Sequence, residues 1–115
     1  MTEAEVAWAA GLMEGEGCFS VVTQRQTHNG KEYEYLYPDV SMASTDEETI
    51  ARFTKVVGAG RVYGPYPRPG KDVWWWKTRR PDEVIRVCEM LYPWMGTRRR
   101  EAMDKVMRLA RDKMA

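Results

Sequence analysis

The 115 residues include two cysteines, one histidine and two phenylalanines, with no long apolar run. Cys18 and Cys88 lie far apart without metal-ligand spacing. They read as reduced thiols in a cytosolic setting, which excludes a disulfide framework or a zinc module. No stretch approaches the roughly 18 apolar residues of a membrane span. Residues 1–16 hold Glu3, Glu5, Glu14 and Glu16 and no base, the opposite of a secretion signal, so the chain is not expected to be secreted. His28 stands alone beside an Asn-Gly turn signal. It reads as a loop residue within reach of backbone phosphate, not a metal ligand.

An excess of bases or acids is lacking too, with 18 against 17 and a net of +1, but the total hides an asymmetry. The acidic head carries −4. Residues 97–115 hold seven bases and three acids, and residues 17–80 hold ten bases and seven acids. A basic middle and tail suits nucleic-acid binding, although many solvated helices share it. The length suits one compact domain over 1–115, and 43% hydrophobic content allows a core. A lone domain of this size is only marginally buried, so pairing with a second copy would help.

The pattern predicts a helix over 2–16, with Thr2 and Glu5 as a capping box and Gly15 and Gly17 ending it. Residues 18–26 alternate as a strand, His28-Asn29-Gly30-Lys31 forms a loop, and residues 32–43 return as a second strand. Pro38 disfavours a central position for that strand. Thr45 caps a second helix, with Glu48 as its partner, and Gly58 stops it. Residues 61–66 start a third strand, the loop PRPGKD follows, and residues 73–79 form a fourth. Pro81 opens a helix that Pro93 ends, and residues 97–114 form a last amphipathic helix.

The fold class is therefore α+β, in the order α-ββ-α-ββ-α-α. Its two hairpins pair into one four-stranded antiparallel sheet with the helices on one face. The other face carries Ser20, Gln24, Gln26, Tyr35, Tyr37, Asp39, Ser41, Arg61, Tyr63, Trp75, Lys77 and Arg79. Water alone does not explain so many aromatics. A surface lying on nucleic acid does, as does packing under loops or against a partner. Of the three tryptophans at 74–76, two read as core and one as surface.

Residues 9–17, Ala9-Ala10-Gly11-Leu12-Met13-Glu14-Gly15-Glu16-Gly17, place two glycines and two carboxylates at a helix C-terminus, against both helix propensity and the macrodipole. This stretch resembles the signature helix of the LAGLIDADG homing endonucleases, and the element order resembles that family's single-motif architecture along nearly the whole chain. Leu91-Tyr92-Pro93-Trp94, ahead of a basic cluster, resembles the turn before the family's catalytic lysine.

The resemblance implies a homodimer. Residues four apart share a helix face, so Ala7, Gly11 and Gly15 form a strip nearly without side chains, with Leu12 beside it. Two such helices can touch closely, although the same strip would suit a helix packed on its own sheet. The family's metal ligand maps to Glu16, with the Gly15 carbonyl as a further ligand and Glu14 second in rank. Two copies of Glu16 would repel unless a cation lies between them. Mg²⁺ is the natural cation, with Mn²⁺ as a substitute. Arg98 takes the place of the family lysine. It keeps the charge for transition-state stabilisation but cannot act as a base, and its cluster would equally serve only to grip phosphate. Ser44 matches a water-positioning residue, with Thr45 or Asp46 as alternatives. Arg99 joins the sheet residues as a DNA contact.

Site-specific double-strand DNA cleavage follows as the implied function. The enzyme would act on a long pseudo-palindromic site in duplex DNA read through the major groove, leaving short 3′ overhangs. The setting would be an intron or phage mobile element, in a bacterial or phage-infected cytoplasm or an organelle. The low net charge and the missing lysine favour an alternative, a DNA- or RNA-binding relative without cleavage (an intron maturase or transcription regulator). A small interaction domain unrelated to nucleic acid is the third reading.

Overall fold

Thr2 starts the first helix. Its hydroxyl accepts the Glu5 N–H at 3.1 Å, while Glu5 Oε1 accepts the Thr2 N–H at 3.2 Å. The expected capping box is thus closed, and the bonds that the Thr2 N–H and hydroxyl donate to the Glu5 carboxyl hold it below its ordinary range. The computed structural model describes residues 1–115 as α1 (Glu3–Glu16), β1 (Gly17–His28), β2 (Lys31–Ser44), α2 (Glu47–Val57), β3 (Arg61–Arg68), β4 (Lys71–Thr78), α3 (Pro81–Leu91), a 3-10 turn at Tyr92–Trp94 and α4 (Thr97–Met114). No helix is long and apolar enough to cross a membrane.

Gly17 caps α1 with φ −87°, so it ends the helix without a left-handed turn. Its glycine is needed for space, because a Cβ there would lie 2.6 Å from the Met13 side chain and carbonyl. The chain passes straight from helix into strand. At the first hairpin Asn29 and Gly30 have φ 52° and 75°, the two positive values of a tight two-residue turn. That turn lets the strands continue further than predicted. His28 is the last residue of β1, opposite Lys31, and not a loop residue.

Asp46, not Thr45, caps α2. Its carboxylate reaches both the Glu48 N–H at 3.1 Å and the Thr49 hydroxyl at 2.7 Å. Pro38 does not keep β2 from a central position, because β2 pairs with β4 only over Val40–Ser44, short of the proline. Beyond that point β2 is an edge strand paired to β1 alone, where proline is tolerated.

The strand order is β1-β2-β4-β3, all antiparallel. Helices cover one face, as the alternation predicts. Phe19, Val40, Met42 and Trp76 turn inward and join Ala9, Ala10 and Met13 of α1, Ile50 and Phe53 of α2, Val84, Val87, Cys88 and Leu91 of α3, and Met103 and Val106 of α4. Trp76 is fully buried, donates Nε1–H to the Ala59 carbonyl at 2.9 Å and meets Phe53 edge to face at 4.9 Å. Burial pushes the Cys88 thiol up to about 12, with Glu89 adding to the shift. The radius of gyration is 15.3 Å, above the roughly 13 Å expected for a chain of this length. Residues 23–36 and 61–72, the far ends of the two hairpins, are exposed on both faces.

Candidate nucleic-acid interface and metal site

Strand register decides which side chains share the open face. Directly opposed pairs include Ser20 with Asp39, Gln24 with Tyr35, Ser41 with Lys77, Arg61 with Lys77, and Tyr63 with Trp75. These pairs bring the residues predicted for the open face onto one side. Arg79 follows the end of β4 and reaches back, with Nε 2.7 Å from Asp39 Oδ2. Gln24, Gln26 and Arg61 are exposed, Ser20, Tyr37, Trp75 and Lys77 half-buried. Ser41 lies on this face but is only 6% exposed, so its hydroxyl is covered.

Lys31, Arg61, Arg68, Lys71 and Lys77 occupy this face, against Asp39 as its one acid. On the hairpins' other face the charged residues are Arg25, Glu32, Glu34 and Asp72, and Arg25 lies 3.9 and 3.7 Å from the two glutamates. The near-zero net charge is thus separated by strand parity. A basic, aromatic face fits a polyanion whose flat bases and phosphates both need partners.

Sequence reasoning missed part of this surface. Strict alternation from Tyr63 would turn Tyr66 away, but a register shift between Tyr63 and Tyr66 brings both onto the open face, each more than 40% exposed. Tyr33 shares the parity of Tyr35 and was legible by the same alternation. Lys113, from the last turn of α4, stands 4.8 Å from the Tyr37 ring centre, a tertiary contact with no local signal. It lines a hollow of about 660 Å³ with Gln24, Tyr37, Arg61, Lys77 and Arg79.

The second region is the end of α1. Ala9, Ala10 and Met13 are its buried side. Gly11 and Gly15 are exposed, Ala7 and Leu12 half-buried, and a Cβ added at either glycine would meet nothing within 4 Å. The glycine strip therefore faces away from the chain's own sheet.

The start of α4 docks onto this end. Glu14 Oε1 accepts the Gly96 N–H at 3.0 Å, which gives Glu14 a structural role. Arg99 donates to the carbonyls of Gly17 at 2.8 Å and Glu14 at 2.9 Å, and its Nε lies 3.5 Å from Glu14. Arg99, expected to touch DNA, clamps α1, β1 and α4 together. Arg100 donates to the carbonyls of Tyr92 and Pro93. That leaves Glu16 and Arg98 as exposed charges with no ion pair, next to the docking contacts. Ser44 ends β2 with its hydroxyl accepting the Asp46 N–H at 3.0 Å.

Within one chain no three acid, cysteine or histidine side chains gather as metal ligands. The residues present nevertheless suit Mg²⁺, which takes one or two carboxylates and completes its shell with water and substrate phosphate. One copy offers the Glu16 carboxylate and the adjacent Gly15 carbonyl.

Neither a family model nor a curated protein sequence matches the chain. Solved structures do. The homing endonuclease I-CvuI, in complex with a DNA target in 2 mM Mg with the DNA not cleaved, superposes with a TM-score of 0.73 at 17% identity, over 95% of this chain and 67% of its own. The homing endonuclease I-TnaI gives 0.72 at 21% identity, over 91% and 70%. The LAGLIDADG homing endonuclease I-LtrWI, bound to target DNA, gives 0.72 at 16% identity, over 96% of this chain and 39% of its own. The chain thus spans about two-thirds of the first two and well under half of the third. Element order, sheet topology and these superpositions agree that the chain has the LAGLIDADG homing endonuclease fold.

Proposed function

We propose that this chain is a site-specific double-strand DNA endonuclease of the homing type, acting as a homodimer with Mg²⁺. The observation that carries this reading is the unpaired, exposed Glu16 at the end of α1, beside a glycine strip open to a second copy. A carboxylate at the negative end of a helix, with no base in the last turn, is unfavourable for one chain alone. Twofold pairing along Ala7, Gly11 and Gly15 would bring two such carboxylates together. Mg²⁺ bound there would lower the pKa of an attacking water and stabilise the leaving oxygen of a phosphodiester.

The chain's own groups would do the rest. The basic, aromatic face would lie in the major groove and fix the register of the duplex. Arg98, always charged, would steady the developing negative charge without taking a proton. Ser44 sits at the end of β2 as a candidate to orient water, and its bond to Asp46 fixes its place. Arg99 and Glu14 would hold the Glu16 end rigid.

The Glu16→Gln variant tests the metal assignment. Cleavage of a selected duplex in Mg²⁺ should be lost while binding of that duplex is kept. Undiminished cleavage would show that Glu16 is not the ligand. A second reading, a DNA-binding protein without cleavage, is favoured by Arg98 standing where the resembled family has lysine. It predicts wild-type binding with no cutting in Mg²⁺ or Mn²⁺.

A further inference from the structure

Asp39 is the one acid on a face otherwise made of bases, aromatics and small polar groups, and it is 4% exposed. A carboxylate there opposes phosphate binding. Its placement is specific, however. Asp39 Oδ2 accepts Arg79 Nε at 2.7 Å, a charge-assisted bond. Lys77 Nζ stands further off, at 3.9 Å, on a half-exposed chain where an ion pair contributes little. The Arg79 side chain is 43% exposed, and this Nε bond is its one contact with an acid. Arg79 lines the hollow, and no hydrogen bond within the protein takes up its two terminal nitrogens.

Resting on the proposed function, we propose that Asp39 is a positioning residue that holds Arg79 for reading one base. An arginine anchored through Nε keeps a planar pair of donors, which matches the O6 and N7 acceptors of guanine in the major groove. A free arginine would find the nearest phosphate instead, so the acid exchanges phosphate affinity for base discrimination. The target would then carry one G·C pair in each half-site that depends on both residues.

The test is binding selection from a randomised duplex library with wild type, Asp39→Asn and Arg79→Ala. Each variant's fold is checked by its thermal melt. Asp39→Asn should flatten the preference at a single base pair per half-site, by about five- to 150-fold, the discrimination of one bidentate contact. Its affinity for bulk duplex should be kept or raised, and its salt slope should steepen by about 0.9 for each cation released to phosphate. Arg79→Ala should lose preference at the same base pair. An unchanged profile in Asp39→Asn, a loss at a different base pair from Arg79→Ala, or a uniform drop in affinity would overturn the assignment. If Asp39→Asn does not fold, Arg79→Lys decides. It keeps the charge but not the fork, so retained preference there would also overturn it. A wild-type chain that selects no duplex overturns the proposed function and this inference together, whereas selection without the Asp39 effect overturns the inference alone.

Discussion

The two faces of the sheet are built by the same four strands and alternate residue by residue, yet they do different work. Trp76 points into the helices and is fully buried. Trp75, its neighbour, stands half-buried opposite Tyr63 on the open side. Lys77 lies on the open side and Thr78 is buried beside Glu83, whose carboxylate accepts the Thr78 hydroxyl at 2.7 Å. A net charge of +1 therefore says little about binding, because strand parity separates the bases from most of the sheet's acids.

The tryptophan pair offers the largest test of that division. Trp76→Ala should cost roughly 3–5 kcal/mol of stability, from lost packing and a stranded Ala59 carbonyl, measured by denaturant unfolding. Trp75→Ala should cost far less stability and instead weaken duplex binding. Similar stability losses for both would mean the faces are not divided as described.

Charge divides the two faces as burial does. Removing Lys77 should lower duplex affinity and make the dependence of log affinity on log salt shallower by about 0.9, the value of one phosphate contact. Removing Arg25, on the opposite face and already flanked by Glu32 and Glu34, should leave the slope unchanged. Filter binding at several salt concentrations distinguishes them.

Smaller still, and of opposite sign in two assays, are the glycines of α1. Gly11→Ala or Gly15→Ala should stabilise the helix by up to about 1 kcal/mol, since open space surrounds both and alanine is the better helix former. The same changes should weaken self-association in sedimentation. Gly17→Ala should do the reverse, destabilising the fold through its clash with Met13. Finally, thiol labelling of the native chain should reach the exposed Cys18 and leave the buried Cys88, held protonated at neutral pH, until unfolding.

Much of this was legible in the sequence because it rests on local periodicity. Parity assigned Phe19, Val40, Met42 and Trp76 to the core, and Tyr35, Tyr63, Trp75 and Lys77 to the open face. The capping box at Thr2 and the turn at Asn29-Gly30 are chemistry read within a few residues. What failed depended on residues distant in the chain or on a break in the period. The register shift before Tyr66 broke the alternation. The clamp made by Arg99 was hidden inside its basic cluster, because the carbonyls that bind it belong to the end of α1. Likewise Pro38 looked wrong for a central strand until the sheet showed where β4 stops. The glycine strip was visible as spacing, while its direction, away from the chain's own sheet, required the fold.

The most direct measurement exposes purified protein and Mg²⁺ to a large randomised duplex library and sequences the newly made ends. Ends recurring at one pseudo-palindromic site, with short 3′ overhangs, are the predicted result, and Glu16→Gln should abolish them. No recurring ends would contradict the account: duplex still enriched by pull-down from the same library would put the binding protein in its place, and no enrichment would overturn both readings.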